Sequence, residues 1–459
     1  MLGYAVLLIL AMSLVAFFVG RVSGTRFAAA GGGSVHSLPA YHGAFVAVWV
    51  GIPALVLVLL WVFLQQPIID RILLGSLPSA MTEGASDAQL SLYLSEIRNV
   101  AAGNIFTEPS PEIRAAAADL VRWSAIAEWA MLVVAAALMV LVLAIARSRL
   151  APRFRARNGF ERVVTGLMIF ASLVAIITTV GIIASLLFEA WRFFQMVPVT
   201  EFLFGLNWEP QIALREDQVA GLGSFGAVPV FTGTLLIATI AMLVATPIGL
   251  FTAIYLVEYA NDRVRSVIKP ILEILAGVPT VVYGFFAVLT VAPAIREFGG
   301  TLGIAVSPNS ALAAGAVMGI MILPFISSLS DDALKAVPRA MRDGSLAMGA
   351  TPGETMVKVL LPAALPGIVG GILLALSRAI GETMIVVMAA GLIATLTANP
   401  LDSVTTVTVQ IVTLLIGDTE FDSPKTLAAF ALGLVLFLVT LCLNVVALGI
   451  VRKYREKYD

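Results

Sequence analysis

Residues 362–387 read PAALPGIVGGILLALSRAIGETMIVV. Apart from Arg378 and Glu382 the stretch is apolar, and MAAGLIATL follows it directly. About 20 mainly apolar residues suffice to cross a bilayer, so this stretch reads as a transmembrane helix with two charges inside it. At 1.5 Å per residue, Arg378 lies roughly 24 Å along a helix begun at Pro362. With part of that helix projecting below the membrane, Arg378 falls near mid-depth. An arginine there costs about 2.5–3.5 kcal/mol on insertion scales. Glu382 is four residues further on, which predicts the same helix face and an ion pair that offsets part of the cost. The other reading is that Arg378, with Glu382 and Thr383, faces an aqueous path. Charged groups within spans mark substrate routes, and a guanidinium fork suits phosphate or carboxylate oxygens.

The rest of the chain agrees with the membrane reading. Of 459 residues 59% are hydrophobic and only 12% charged, against about 25% charged in soluble proteins. Mean hydropathy is +0.99. The expected class is an all-α polytopic membrane protein. A net charge of −1 implies no attraction to nucleic acid. Cys442 is the single cysteine, which excludes an intramolecular disulfide and a cysteine-based metal site. His36 and His42 share one glycine-rich loop, so no metal site and no His-based enzyme centre is expected.

Nine spans are predicted, at 2–20, 43–64, 123–146, 163–190, 229–257, 266–294, 309–329, 363–394 and 425–451. Arginine placement orients them. Arg21 and Arg26 in 21–42, the six arginines of 147–162 and the tail VRKYREKYD suit the cytoplasm. The loop 65–122, with seven acids and four arginines, suits the outer side. The N-terminus is thus expected outside and the C-terminus inside. The first span lacks a basic n-region, its arginines come after the apolar run, and it reads as a retained helix rather than a signal peptide. The basic stretch RSRLAPRFRARNGFER at 147–162 is the expected internal boundary, with an N-terminal extension at 1–158 and a core at 159–459. Residues 85–122 are expected to form amphipathic helices outside the membrane.

Several motifs carry more specific expectations. GLGSFG at 221–226 matches a dinucleotide fingerprint, but it sits in a loop before a span rather than in a βαβ unit, and reads as an ordinary loop. No phosphate-loop motif with Gly-Lys-Ser/Thr occurs, so any ATP is bound by another chain. Pro279, inside AGVPTVVYG, is expected to kink its span. The cytoplasmic loop 331–362 predicts short amphipathic helices broken at Gly349, with Thr351 and Glu354 as a capping box. Such a loop reads either as a solvated segment or as a docking site for a cytoplasmic partner.

Together these residues resemble the permease subunits of ATP-binding-cassette importers, and among them the PstC branch of bacterial phosphate importers. RDGSLAMGATPGETMVKVLLP resembles the family's E-A-A loop: Asp343, Gly344 and Ser345 stand at the triplet, Gly349 at the glycine and Pro362 at the final proline, with Arg342 just before. The triplet itself is not kept. RAIGETM at 378–384, LAGVPTVVYGFF at 275–286 and FTGTLLIATIAMLVATPIGLFTAIYLVEYA at 231–260 are similar to the phosphate branch. The resemblance covers roughly 160–459 and is weaker over 1–146. It implies a type I importer core of six transmembrane helices plus about three N-terminal helices. It also implies a PstA-like permease partner, a PstB-like ATPase dimer that binds ATP and Mg, a PstS-like periplasmic phosphate-binding protein and a bacterial inner-membrane location. Other oxyanions (sulfate, molybdate, phosphonate), the PstA-type sister subunit and an ATPase-independent carrier are the alternatives.

Overall fold

The computed structural model describes residues 2–30, 36–78, 81, 86–104, 109–210, 223–416 and 422–454. Nine helices among these are long and apolar enough to cross a membrane, the number expected. Two compact units divide within one long helix, Met1–Ile177 and Thr178–Asp459.

The first unit is built on α1 (Leu2–Ala30), α2 (Pro39–Ser76), α3 (Asp87–Ala101) and α4 (Pro111–Ser148), followed by the start of α5 (Ala156–Met196). Small residues let α1 and α2 touch backbone to backbone. A Cβ on Gly20 would meet the His42 carbonyl at 2.6 Å, and one on Gly43 would meet that of Phe17 at 2.7 Å. Lipid is as apolar as leucine, so helices in a bilayer gain by such close packing rather than by burial alone. Ala16, Val46, Val50, Ala135 and Met139 fill the shared core. α3 is the amphipathic helix expected in the polar loop. Ser86 and Gln89 form its capping box, and Arg98 ties it to Asp70 of α2 at 2.6 Å.

The second unit continues from α5 through α6 (Val199–Phe204) to a hairpin, in which β1 (Trp208–Glu209) pairs antiparallel with β2 (Ser224–Phe225). Ser224 and Phe225 of GLGSFG thus form a short β-strand, while the first two residues of the motif lie outside the described residues. Then come α7 (Val228–Ile254, ending in a π turn, Tyr255–Tyr259), α8 (Asp262–Ala276), α9 (Thr280–Phe286), α10 (Ala292–Thr301) and α11 (Ala311–Lys335). α7 and α11 form the spine of the core. Gly315 of α11 seats against Ile240, and Gly319 against the Ala241 carbonyl and Val244. Ile237, Ala241, Val317, Ile322 and Ile326 are buried around them.

After α11 come α12 (Arg339–Ala347), α13 (Pro352–Thr355, leading into the π turn Met356–Leu360) and α14 (Leu361–Ile380). α15 (Met384–Ala389), α16 (Val407–Leu415) and α17 (Pro424–Tyr454) complete the chain. Between α15 and α16 the backbone is irregular and pairs with the chain around the start of α11: Ser307 N–H donates to the Leu401 carbonyl at 3.1 Å and Leu312 N–H, in the first turn of α11, to that of Pro400 at 2.8 Å. Val404, Thr405 and Thr406 of this segment are buried. Irregular backbone among membrane helices is tolerated where protein satisfies it.

Three expectations are corrected. The span placed at 266–294 is two elements. α8 carries Asp262, Arg263, Arg265, Lys269 and Glu273 at helical spacing and is a separate amphipathic helix. Pro279 does not kink a span but precedes one, standing as the N-cap of α9 after the chain turns at Gly277. The Tyr283 hydroxyl donates back to the Leu275 carbonyl at 2.8 Å and ties the two helices across the turn. The span placed at 363–394 stops at Ile380, where Gly381 caps α14 and a new short helix begins.

Candidate functional site: a helix break and the cavity beneath it

Arg378 occupies the last turn of α14 and Glu382 lies past its end. The same-face pairing expected from four-residue spacing therefore fails, because that spacing holds only while the helix continues. The Glu382 carboxylate instead accepts the N–H groups of Met384 at 3.1 Å and Ile385 at 3.4 Å, at the start of α15. Its own carbonyl accepts the Thr408 hydroxyl at 2.8 Å, which fastens the break to α16. Thr383 stays local, its hydroxyl facing the Gly381 carbonyl at 3.5 Å. Among the described residues Arg378 has no carboxylate partner. Its guanidinium lies over the Phe325 ring of α11, 5.9 Å from the centroid. Leu374, Arg378, Gly381 and Met384 are all exposed, which makes one open face along the break.

Beneath Arg378 lies a cavity of about 280 Å³ between α8, α11 and the end of α7. Lys269, Glu273, Ser327, Ser328 and Asp331 line it with Arg378. Asp331 is buried and holds Arg265 at 3.1 Å, Lys269 at 3.1 Å and Lys335. Among the described residues no group of His, Cys, Asp and Glu side chains could hold a metal ion.

The loop 331–362 has the local structure expected of it. α12 is short and amphipathic, and Gly349 ends the turn behind it at φ +90°, a conformation that favours glycine. Thr351 and Glu354 form the capping box of α13. Arg342 faces inward to Glu258 at the end of α7, 2.9 Å away, with the Glu258 side chain only 2% exposed. The Ser345 and Thr355 hydroxyls share a hydrogen bond of 2.9 Å. Asp343, Gly344, Leu346, Ala347 and Met348 face outward, Met348 at 89% exposure. Pro362 stands in the first turn of α14, so the loop runs straight into the helix that carries Arg378.

Two family models match the chain. One, described as "Phosphate ATP-binding cassette transporter", matches residues 6–178. The other, "Binding-protein-dependent transport system inner membrane component", matches residues 245–456. The "Phosphate transport system permease protein PstC 1" of Mycobacterium tuberculosis is 32% identical over 277 residues, 55% of this chain and 81% of that protein. The chain belongs to the PstC family of phosphate transport permeases. The "Probable ABC transporter permease protein YqgH" of Bacillus subtilis is 36% identical over 242 residues, 52% of this chain and 74% of that protein. PstC of Pasteurella multocida is 30% identical over 294 residues, 59% and 85% of the two chains. A PstC-family chain is an inner-membrane permease subunit of an ATP-driven importer. It is not an enzyme, and it works with a second permease, a separate ATPase and a substrate-binding protein.

For this permease, then, the expected site residues fall into two groups. Arg378, Glu382 and Thr383 meet at one helix break, and Arg342 through Gly349 sit on one exposed hairpin of helices. Sequence reading missed Lys269, Asp331 and Lys335. The signals for them were the charge spacing of α8 and the four-residue spacing of Asp331 and Lys335 on α11, while Asp331 meets Arg265 and Lys269 across 66 and 62 residues of chain.

Proposed function

We propose that the chain lines the route of inorganic phosphate, with Arg378 as its cationic point and Glu382 beside it. The observation that carries this reading is an arginine in the last turn of an apolar helix, on an exposed face, over an aromatic ring and with no ion-paired carboxylate among the described residues. A structural arginine there would be expected to take an acid partner. Thr383 and the open turn at Gly381 complete the surface that phosphate passes. A second permease, PstA-like in this reading, closes the other side.

Energy comes from a PstB-like ATPase dimer that binds ATP and Mg and docks on the outward residues Asp343, Gly344, Leu346, Ala347 and Met348. Arg342, Ser345, Gly349 and Pro362 carry the push into α14. A PstS-like protein delivers phosphate from the periplasm, and the arginines of 21–42 and 147–162 with the basic C-terminal tail support an N-terminus outside and a C-terminus in the cytoplasm. Residues 1–158 are an N-terminal extension and 159–459 the permease core. Release matters as much as capture, since a conduction site must let its ion go.

The test is uptake of labelled phosphate by the assembled complex in the presence of excess sulfate, molybdate or a phosphonate. Phosphate alone among unlabelled anions should compete at equal concentration. Equal competition by sulfate or molybdate would transfer the site to that anion.

A further inference from the structure

The Asp331 cluster is over-supplied with positive charge. Its carboxylate is 5% exposed and meets three cations, Arg265, Lys269 and Lys335, whose side chains remain 29%, 36% and 38% exposed. Asp331 neutralises one of the three and Glu273, which lines the same cavity, can offset a second, so the cluster keeps a net positive charge. Each cation gives Asp331 one N–H, while a guanidinium has five and an ammonium three. The donors left over have no protein acceptor among the described residues. A structural ion pair needs one cation, and burying further charge is costly.

Position adds to the argument. Lys269 and Asp331 line the same cavity as Arg378. Asp331 lies six residues from Phe325 along α11, about 9 Å closer to the coupling loop. Ser327 and Ser328 supply hydroxyls on the wall between. At about 280 Å³ the cavity suits a small ion with some water, below the roughly 300–1,000 Å³ of drug-sized pockets.

We propose that this cavity is a second oxyanion station, in which Lys269 on its wall receives inorganic phosphate after it leaves Arg378, with Arg265 and Lys335 taking over Asp331 from behind. Asp331 is the resident anion. It holds the cations when phosphate is absent and competes when phosphate arrives, which keeps the site weak enough to empty. The inference rests on reading the chain as a phosphate pathway.

The test uses the assembled complex with Cys442→Ala and Ser328→Cys, since Cys442 is the single cysteine and is exposed. Inorganic phosphate should slow alkylation of the new thiol about 3-fold at twice its Kd, as 1 + [L]/Kd requires. Lys269→Gln should abolish that protection and Lys269→Arg should keep it. Arg378→Ala should lose uptake. Protection that survives Lys269→Gln, or no protection in a complex that still takes up phosphate, overturns the second station and leaves the Arg378 reading standing. Uptake that survives Arg378→Ala strikes the Arg378 reading instead.

Discussion

Arg378 rests on Phe325, its guanidinium 5.9 Å from the ring centroid, and Glu382 four residues later has turned away to cap another helix. The ring faces the cation and leaves the fork of N–H donors open. A cation over a phenyl face is held by about 0.5–2 kcal/mol, less than a buried carboxylate would give. Such a grip positions the fork without occupying it. Arg378→Ala should therefore cut phosphate uptake by about 10-fold or more, the scale of one charged hydrogen bond worth ~1.5–3 kcal/mol. Co-purification of the ATPase should be unchanged. Arg378→Lys should recover only part, because an ammonium keeps the charge and loses the planar fork. Normal uptake by the alanine variant removes Arg378 from the pathway.

Glu258 and Arg342 link the end of α7 to α12, with Glu258 almost wholly buried and its second oxygen without a partner among the described residues. Removing the cation leaves that carboxylate buried alone. Arg342→Ala should destabilise the solubilised complex by up to about 3 kcal/mol, less than the 3–5 of a fully buried pair because Arg342 is partly exposed. Glu258→Gln in the same chain should restore much of the loss. Thermal unfolding of the single and double variants measures this. Additive losses would mean that the two side chains do not act as a pair.

The parts of this molecule legible in its sequence are those set by local chemistry. Thr351 and Glu354 are three residues apart, and Gly349 stands where a helix must end, so the coupling loop could be read directly. Arg378 was legible because a charge in an apolar run has few explanations. The break at Gly381 was not. RAIGETM contains no proline, and α14 stops there because the Glu382 carboxylate and the Thr408 hydroxyl, 26 residues away, reward a new start. Pro279 misled for the opposite reason. Proline ends one helix as readily as it bends one, and the charge spacing from Asp262 to Glu273, read alone, would have shown which. Asp331 stayed hidden because two of its three partners, Arg265 and Lys269, lie on another helix.

Gly349 has φ +90° and its N–H donates to the Leu346 carbonyl at 3.0 Å. Proline, fixed near −65°, fits neither requirement. Gly349→Pro should disorder the turn after α12, so that the ATPase no longer co-purifies. Gly349→Ala has open space for its Cβ, and pays only the backbone strain of about 1–3 kcal/mol. It should weaken docking without abolishing it. Unaltered co-purification by the proline variant would detach this turn from the ATPase interface.

Glu382 offers the sharpest separation of structure from transport. Its carboxylate does one visible thing, accepting the Met384 and Ile385 N–H groups, and would do a second if its charge also limits how long an anion stays by Arg378. Glutamine keeps a carbonyl oxygen for the cap and removes the charge, whereas alanine removes both. Losing a cap costs about 1 kcal/mol, so Glu382→Ala should lower thermal stability and Glu382→Gln should restore it. Uptake should respond differently. With the charge gone the anion is held longer at Arg378, and Glu382→Gln should lower the maximal rate while leaving the phosphate concentration for half-maximal uptake no higher. If the glutamine variant transports as fast as the parent, the carboxylate is a helix cap and nothing more, and phosphate release must be governed elsewhere along α14.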